Sequence, residues 1–339
     1  MLKTHSCLAL LATQLLALAL FAVAQPSRFT HPSRLGVHRS TSPNTLISLP
    51  RIPEADAARP QVGFTFGRID FPHSPSGTAY GLNGKGDSVG VWGPQSPIGY
   101  FGSFGYVLKD NKFSDFNYPG AVASGPFGIN SRRQIVGYYD PTGNEDFHAY
   151  LYKGMKFVNI DPPGSTGGAA LAINDPGEIV GTYYDTADVQ HGFILKKGAY
   201  TTIDPASSFD SEPLSLNSAG TVVGDYYDIA TQHLHGFIYQ NGQFTTVDYP
   251  GATDTILTGI NDAGQIVGGF GSNVVVGGFD WRTPNMFLLD QGQYIPLTLP
   301  VDNAYVTLSY GFKGNSVVGF YVDSLANLYG YEIQLSGAQ

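Results

Sequence analysis

The sequence predicts an all-β fold: a six-bladed β-propeller of four-stranded blades, closed by an N-terminal strand that completes the last blade. Three observations predict it. One phrase recurs at a period in the forties, each period divides into four strand-like segments, and the two ends of the repeat region are complementary fractions of one unit.

The recurring phrase is "GLNGKGDSVGVW", "GINSRRQIVGYY", "AINDPGEIVGTY", "SLNSAGTVVGDY", "GINDAGQIVGGF" and a degenerate "YGFKGNSVVGFY". Anchored on the apolar residue before Asn, the copies sit at Leu82, Ile129, Ile173, Leu216 and Ile260, with Gly311 taken for the sixth; the spacings are 47, 44, 43, 44 and 51 residues. Periods of this length are in the range of four-stranded propeller blades.

The third copy shows the four segments: "AALAI", "EIVGTYY", "HGFILK" and "AYTTID". All are short and rich in β-branched or aromatic residues, and Asn, Gly, Asp and Pro divide them. No segment carries a helical period. In the turn after the first segment, Asn and Asp side chains bond to the backbone just ahead, and Gly86, Gly177, Gly220 and Gly264 supply a position for positive φ; the second copy has Arg133 there. The residue before the apolar anchor is small in five copies, Gly81, Gly128, Ala172, Ser215 and Gly259, as crowding of inner strands near an axis requires.

Closure follows from the ends. The last copy stops after its third segment, "LYGYEIQL", whereas "FTFGRIDF" (64–71) is a fourth segment with no first three. Pairing the two closes the ring and removes exposed sheet edges. A solenoid would instead end in polar caps.

Residues 1–24 have a basic start at Lys3, an apolar run and the small ending Ala22-Val23-Ala24, the pattern of a secretory signal peptide. Residues 25–61 are rich in Ser, Pro, Thr and Arg and are expected to be a flexible leader; the propeller takes 62–336. The one cysteine, Cys7, lies in the signal, so packing alone must hold the mature domain. A secreted protein is expected, periplasmic in a Gram-negative host. No later stretch is long and apolar enough to span a bilayer. A net charge of -9, with no basic stripe, argues against nucleic acid. A monomer is expected.

The His-(Gly/Ala)-aromatic strand, at His148-Ala149-Tyr150, His191-Gly192-Phe193 and His235-Gly236-Phe237, together with the Asn-Asp-x-Gly-x-Ile-Val-Gly turn, resembles the bacterial extracellular repeat proteins of the HAF family, named for a His-Ala-Phe motif. The resemblance implies an exported protein and names no activity. Phe104, Asn285 and Tyr329 stand at the His place in the other copies, which argues against a full ring of histidines. His148, His191 and His235 are therefore expected to bond within their own blades.

In an up-and-down blade, the loops between strands two and three share a face with the links between blades. That face receives the Tyr-Tyr-Asp segments, and rings beside carboxylates suit carbohydrate. Candidate ligand-binding residues are Trp92, Tyr100, Tyr139, Asp140, Tyr184, Asp185, Tyr227 and Asp228, with Asp280, Trp281 and Arg282 in the long insertion of the fifth copy. Asp146, Asp210 and Asp254 are further loop carboxylates. An Asp repeated in successive copies is more simply a turn residue, so no catalytic set is assigned. No cofactor is called for; calcium is the one candidate, and no metal ligand set is assigned. The expected function is a binding or scaffold protein for polysaccharide or a surface protein. The alternative is a carbohydrate-active hydrolase or lyase on the same face, and whether the chain is an enzyme is left open.

Overall fold

The computed structural model describes residues 62–72, 74, 76–93, 104–144, 146–206, 208–271, 274–275, 278–279, 285–302, 304–323 and 327–336. The expected signal peptide and leader, and Tyr100, Asp280, Trp281 and Arg282, lie outside the described residues.

Strand β1 (Gly63–Ile69) precedes blade 1, which is β2 (Gly77–Leu82), β3 (Ser88–Trp92), β4 (Phe104–Lys109) and β5 (Lys112–Asp115). Blade 2 is β6 (Ala123–Ile129), β7 (Ile135–Asp140), β8 (His148–Lys153) and β9 (Lys156–Asn159). Blade 3 is β10 (Gly167–Ile173), β11 (Ile179–Tyr184), β12 (Gln190–Lys196) and β13 (Ala199–Thr202). Blade 4 is β14 (Ser208–Leu216), β15 (Val222–Asp228), β16 (His233–Gln240) and β17 (Gln243–Val247). Blade 5 is β18 (Asp254–Ile260), β19 (Ile266–Gly271), β22 (Met286–Asp290) and β23 (Gln293–Leu297), with the two-residue strands β20 (Val274–Val275) and β21 (Gly278–Phe279) paired in its long loop. Blade 6 is β24 (Ala304–Lys313), β25 (Ser316–Asp323) and β26 (Leu328–Ser336), and β1 pairs antiparallel with β26 as its outer strand. The molecule is thus a six-bladed β-propeller, closed by the strand that the complementary ends predict.

Every inner strand carries a β-bulge at the same place, with Tyr80, Phe127, Leu171, Leu214, Thr258 and Tyr310 as the extra residues. A bulge re-aims a side chain. Here five of the six line the axis, where Tyr80 packs edge-on against both Phe127 (5.0 Å) and Tyr310 (5.4 Å). The next residue must be small because adjacent inner strands touch there. A Cβ on Gly81 would lie 2.6 Å from the Phe127 carbonyl oxygen, and one on Gly259 would lie 2.6 Å from that of Tyr310.

The bulge also corrects the sixth copy. Gly311 is the small residue of that copy, and Phe312, pairing with Val317 as Ile260 pairs with Ile266, is its apolar anchor. The degenerate turn had hidden a one-residue slip.

Between blades the core is a set of apolar clusters, each shared by facing sheets. One example is Val136, Ala149, Ala170, Ile173 and Phe193 from blades 2 and 3.

Candidate functional site

On the turn face, each Asn of the repeat accepts two N–H groups of its own hairpin and donates to a carbonyl of the next blade. The Asn174 Oδ1 accepts from the Gly177 and Glu178 backbone N–H at 3.0 and 2.8 Å, which closes its own hairpin. Its Nδ2 donates across to the Asn217 carbonyl of the next blade at 3.0 Å. The relay runs Asn83 to Asn130, Asn130 to Asn174, Asn174 to Asn217, Asn217 to Asn261, and Asn261 to the Gly314 carbonyl of blade 6. In blade 6 the Asn position is Lys313, and its Nζ reaches Asp262 of blade 5 at 2.8 Å and Asp175 of blade 3 at 3.2 Å. This ammonium lies at the mouth of an axial cavity of about 80 Å3, walled by the inner strands. Burial pushes Asp175 and Asp262 up, but Lys313 and the Ser131 and Ser218 N–H groups outweigh it and hold both below the ordinary range.

Arg133 holds the turn position with φ 57°, a left-handed conformation that is costly for a side-chain residue. Its guanidinium bonds at 2.7 Å to Asp87 of blade 1, whose carboxylate is almost fully buried. The departure from glycine therefore serves as a link between blades.

On the loop face, each repeat histidine bonds an Asp from the link that follows its blade. His148 Nδ1 lies 2.7 Å from Asp161, His191 Nδ1 2.7 Å from Asp204, and His235 Nδ1 3.0 Å from Asp248. The same Asp accepts the next backbone N–H in two of these, from Ala149 and Gly192. In blade 1, where Phe104 replaces His, Asn117 keeps the bond to the Gly105 N–H.

A tyrosine packs against each of these imidazoles, Tyr183 stacked and Tyr139 and Tyr226 tilted. The equivalent residues are thus the first Tyr of the pair in blades 3 and 4 but the second in blade 2. Asp140 consequently stands in register with Tyr184 and Tyr227. Because side chains alternate along a strand, Tyr184 and Tyr227 face away from the histidines, toward the next blade. Tyr139 is spoken for by packing, its ring lying 3.8 Å from that of Tyr118 at an interplanar angle of 6°. Trp92 packs on Phe104. The three strand-end carboxylates cap their loops: Asp140 accepts from the Thr142 and Gly143 N–H, Asp185 from Ala187 and Val189, and Asp228 from Ala230 and Thr231.

The structure brings together a different constellation, near the axis on the loop side. Glu212 of β14 pairs directly opposite Asp225 of β15, and Asp210 lies two residues before Glu212. Gln190 of blade 3 donates to Glu212 Oε1 at 3.0 Å, and Tyr184 donates to Gln190 Oε1 at 2.6 Å. Asp210 accepts the Tyr227 N–H at 3.1 Å. Burial, together with the neighbouring Asp210 charge, pushes Glu212 up to about 8. Asp225, only 4% exposed, is raised well above its ordinary value by burial and by Glu212 and Asp210. Tyr310, reaching in from blade 6, is raised by burial and then by charge on Tyr80, Glu212 and Asp225. Glu212 keeps some exposure as a residue, while burial of its carboxyl keeps that group neutral at pH 7.

Of the sequence-predicted residues, Tyr184 belongs to this network and Tyr227 flanks it through its backbone. Glu212 and Asp225 were missed, although a signal existed. At the place of Glu212 the other copies have Thr78, Gly125, Ala169, Ile256 and Leu308; at that of Asp225 they have Val91, Tyr138, Thr182, Gly269 and Phe320. Both acids break the repeat at positions where every other copy is uncharged. Among the described residues, no three His, Asp or Glu side chains converge as metal ligands would.

No protein-family model matches the chain, and no curated protein matches it. Solved structures similar in fold include the fucose-specific lectin of Aleuria aurantia, with a TM-score of 0.47 at 11% identity over 76% of this chain and 94% of the lectin. A Hadza microbial sialidase gives 0.48 at 11% identity, covering 78% of this chain and 66% of its own. TolB from Acinetobacter baumannii gives 0.49 at 11% identity, covering 77% and 64%. Their names span different roles, and likeness at this level assigns neither a ligand nor a reaction to this chain.

Proposed function

We propose that the chain is a secreted or periplasmic β-propeller binding protein that takes a polyhydroxylated ligand, a segment of polysaccharide, at the loop-side mouth of the axis. One observation carries this reading: Glu212, Asp225 and Gln190 meet with the Tyr184 hydroxyl from two adjacent blades, on the face where the blade loops differ most. Protonated carboxyls and an amide both donate and accept, as sugar hydroxyls require, and the half-buried Tyr184 and Tyr227 rings supply apolar faces. Retention of the purified chain on a panel of insoluble polysaccharides tests it. Binding should weaken at least about tenfold in Gln190→Ala and Tyr184→Phe, and failure of the wild-type chain to bind any member would sink the reading.

A second reading, hydrolysis of the same ligand class, is favoured by Glu212 alone. A carboxyl that stays protonated to about 8 has the property of a general acid. Release of reducing ends by the wild-type chain, abolished in Glu212→Gln, supports that reading; release that survives in Glu212→Gln removes Glu212 from it.

A further inference from the structure

Beside the carboxyl network the loop face exposes three large apolar side chains: Val189 (37% exposed), Phe209 (57%) and Ile229 (59%). Each adjoins the network or the strand pair that holds it. Val189 precedes Gln190, the partner of Glu212. Phe209 is the bulged residue between Ser208 and Asp210, and Ile229 follows Asp228, which pairs with Ser208. A cation brought beside Asp210 and Glu212 draws the proton off Glu212, so exposed apolar surface next to them selects a partner that is cationic and apolar at adjacent positions.

The chain carries such a partner. Residues 25–61 hold five arginines against Glu54 and Asp56, a net +3, whereas the chain as a whole is -9 and residues 62–339 alone carry -13, Lys3 making up the balance. Three of those arginines are followed by a large apolar residue: Arg28-Phe29, Arg34-Leu35 and Arg51-Ile52. About 30 residues separate Arg34 from the first strand, a reach of up to roughly 100 Å, ample for either face of a propeller.

We propose that residues 25–61 dock on this face of their own propeller, an Arg-apolar pair setting its guanidinium on Asp210 and Glu212 and its neighbour among Val189, Phe209 and Ile229. The segment would then occupy the mouth assigned above to a ligand, and a ligand must displace it.

Limited trypsin digestion of the full chain, with cleavage at Arg28, Arg34 and Arg51 followed by mass spectrometry, tests the proposal. A synthetic peptide of residues 25–61 digested alone sets the unprotected rate. Wild-type cleavage should be about tenfold slower than in the peptide. Phe209→Ser/Ile229→Ser, which alters only exposed side chains and should leave the melting temperature unchanged, should restore the peptide's rate, as should Glu212→Gln to a lesser degree. Equal rates in the wild-type chain and the peptide overturn the proposal, as does protection that disappears on dilution, which would place the segment on a second copy. Polysaccharide retention measured on the same preparations separates the two readings. Retention without protection refutes docking alone, and protection without retention refutes the carbohydrate reading alone.

Discussion

The two faces of this propeller are built by opposite rules. On the turn face, five blades repeat one Asn with the same two-handed bonding, and even the exceptions, Arg133 and Lys313, end in ion pairs to other blades. On the loop face, the histidine-aspartate clasp recurs in three blades, but the residues nearest the axis differ from copy to copy, and only blade 4 puts carboxyls on both of its inner strands. Repetition there serves assembly, because a bond that crosses from each blade to the next fixes the spacing of all. Divergence serves chemistry, since a site needs unlike groups at one point.

If the turn face is the structural one, its Asn should be the costliest residue to lose. Asn174→Ala removes the oxygen that accepts two hairpin N–H groups and the amide that donates to the next blade, both from a buried position. The expected loss is about 3 kcal/mol, a fall of roughly 6–10 °C in melting temperature by calorimetry. A loss below about 1 kcal/mol would break the contrast between the faces.

The loop-side carboxyls should behave in the reverse sense. Glu212 keeps its proton to about 8 in the fold but releases it near its ordinary 4.5 when unfolded. Between those values the unfolded state binds fewer protons, so wild-type stability falls as pH rises from about 4.5 to 8. Glu212→Gln should stabilise the chain by about 2 kcal/mol at pH 8 and by nothing at pH 4, and Asp225→Asn should shift stability in the same direction. Denaturant titrations at the two pH values check the sign, and destabilisation at pH 8 would mean the carboxyls hold the blade rather than burden it.

Lys313→Met should cost about 1 kcal/mol, because its two partners are partly exposed. The difference from wild type should shrink in 1 M NaCl (about a 3 Å screening length). A salt-independent loss would point to packing of the lysine stem instead.

Smallest of all, Asp204→Asn keeps an acceptor for the Gly192 N–H while weakening the bond to His191. About 0.5 kcal/mol is expected, with polysaccharide retention unchanged. A large loss of retention would move the clasp from scaffold to site.

Much of the fold was legible because each blade restates its own evidence. The Asn-Gly turn, the small residue beside the axis and the incomplete ends each follow from local sterics or edge pairing, and six copies average out the exceptions. Register was less legible. Aligning Tyr138-Tyr139 with Tyr183-Tyr184 by letters put Asp140 beside Asp185, whereas packing against His148 and His191 shows Tyr139 to match Tyr183. The candidate site was read in part: Tyr184 and the loop face were named, while Glu212 and Asp225 looked like stray acids in two apolar strands.

The sequence by itself determined the number of blades, their strands and the way the ring closes, because these depend on short-range turn chemistry and on repetition along the chain. Only the tertiary structure decided where charge converges. Glu212 and Asp225 meet by strand register, Gln190 arrives from the neighbouring blade, and Tyr310 of blade 6 feels their charge. Ring closure sets those distances, and it turns two unremarkable carboxylates into groups that hold their protons.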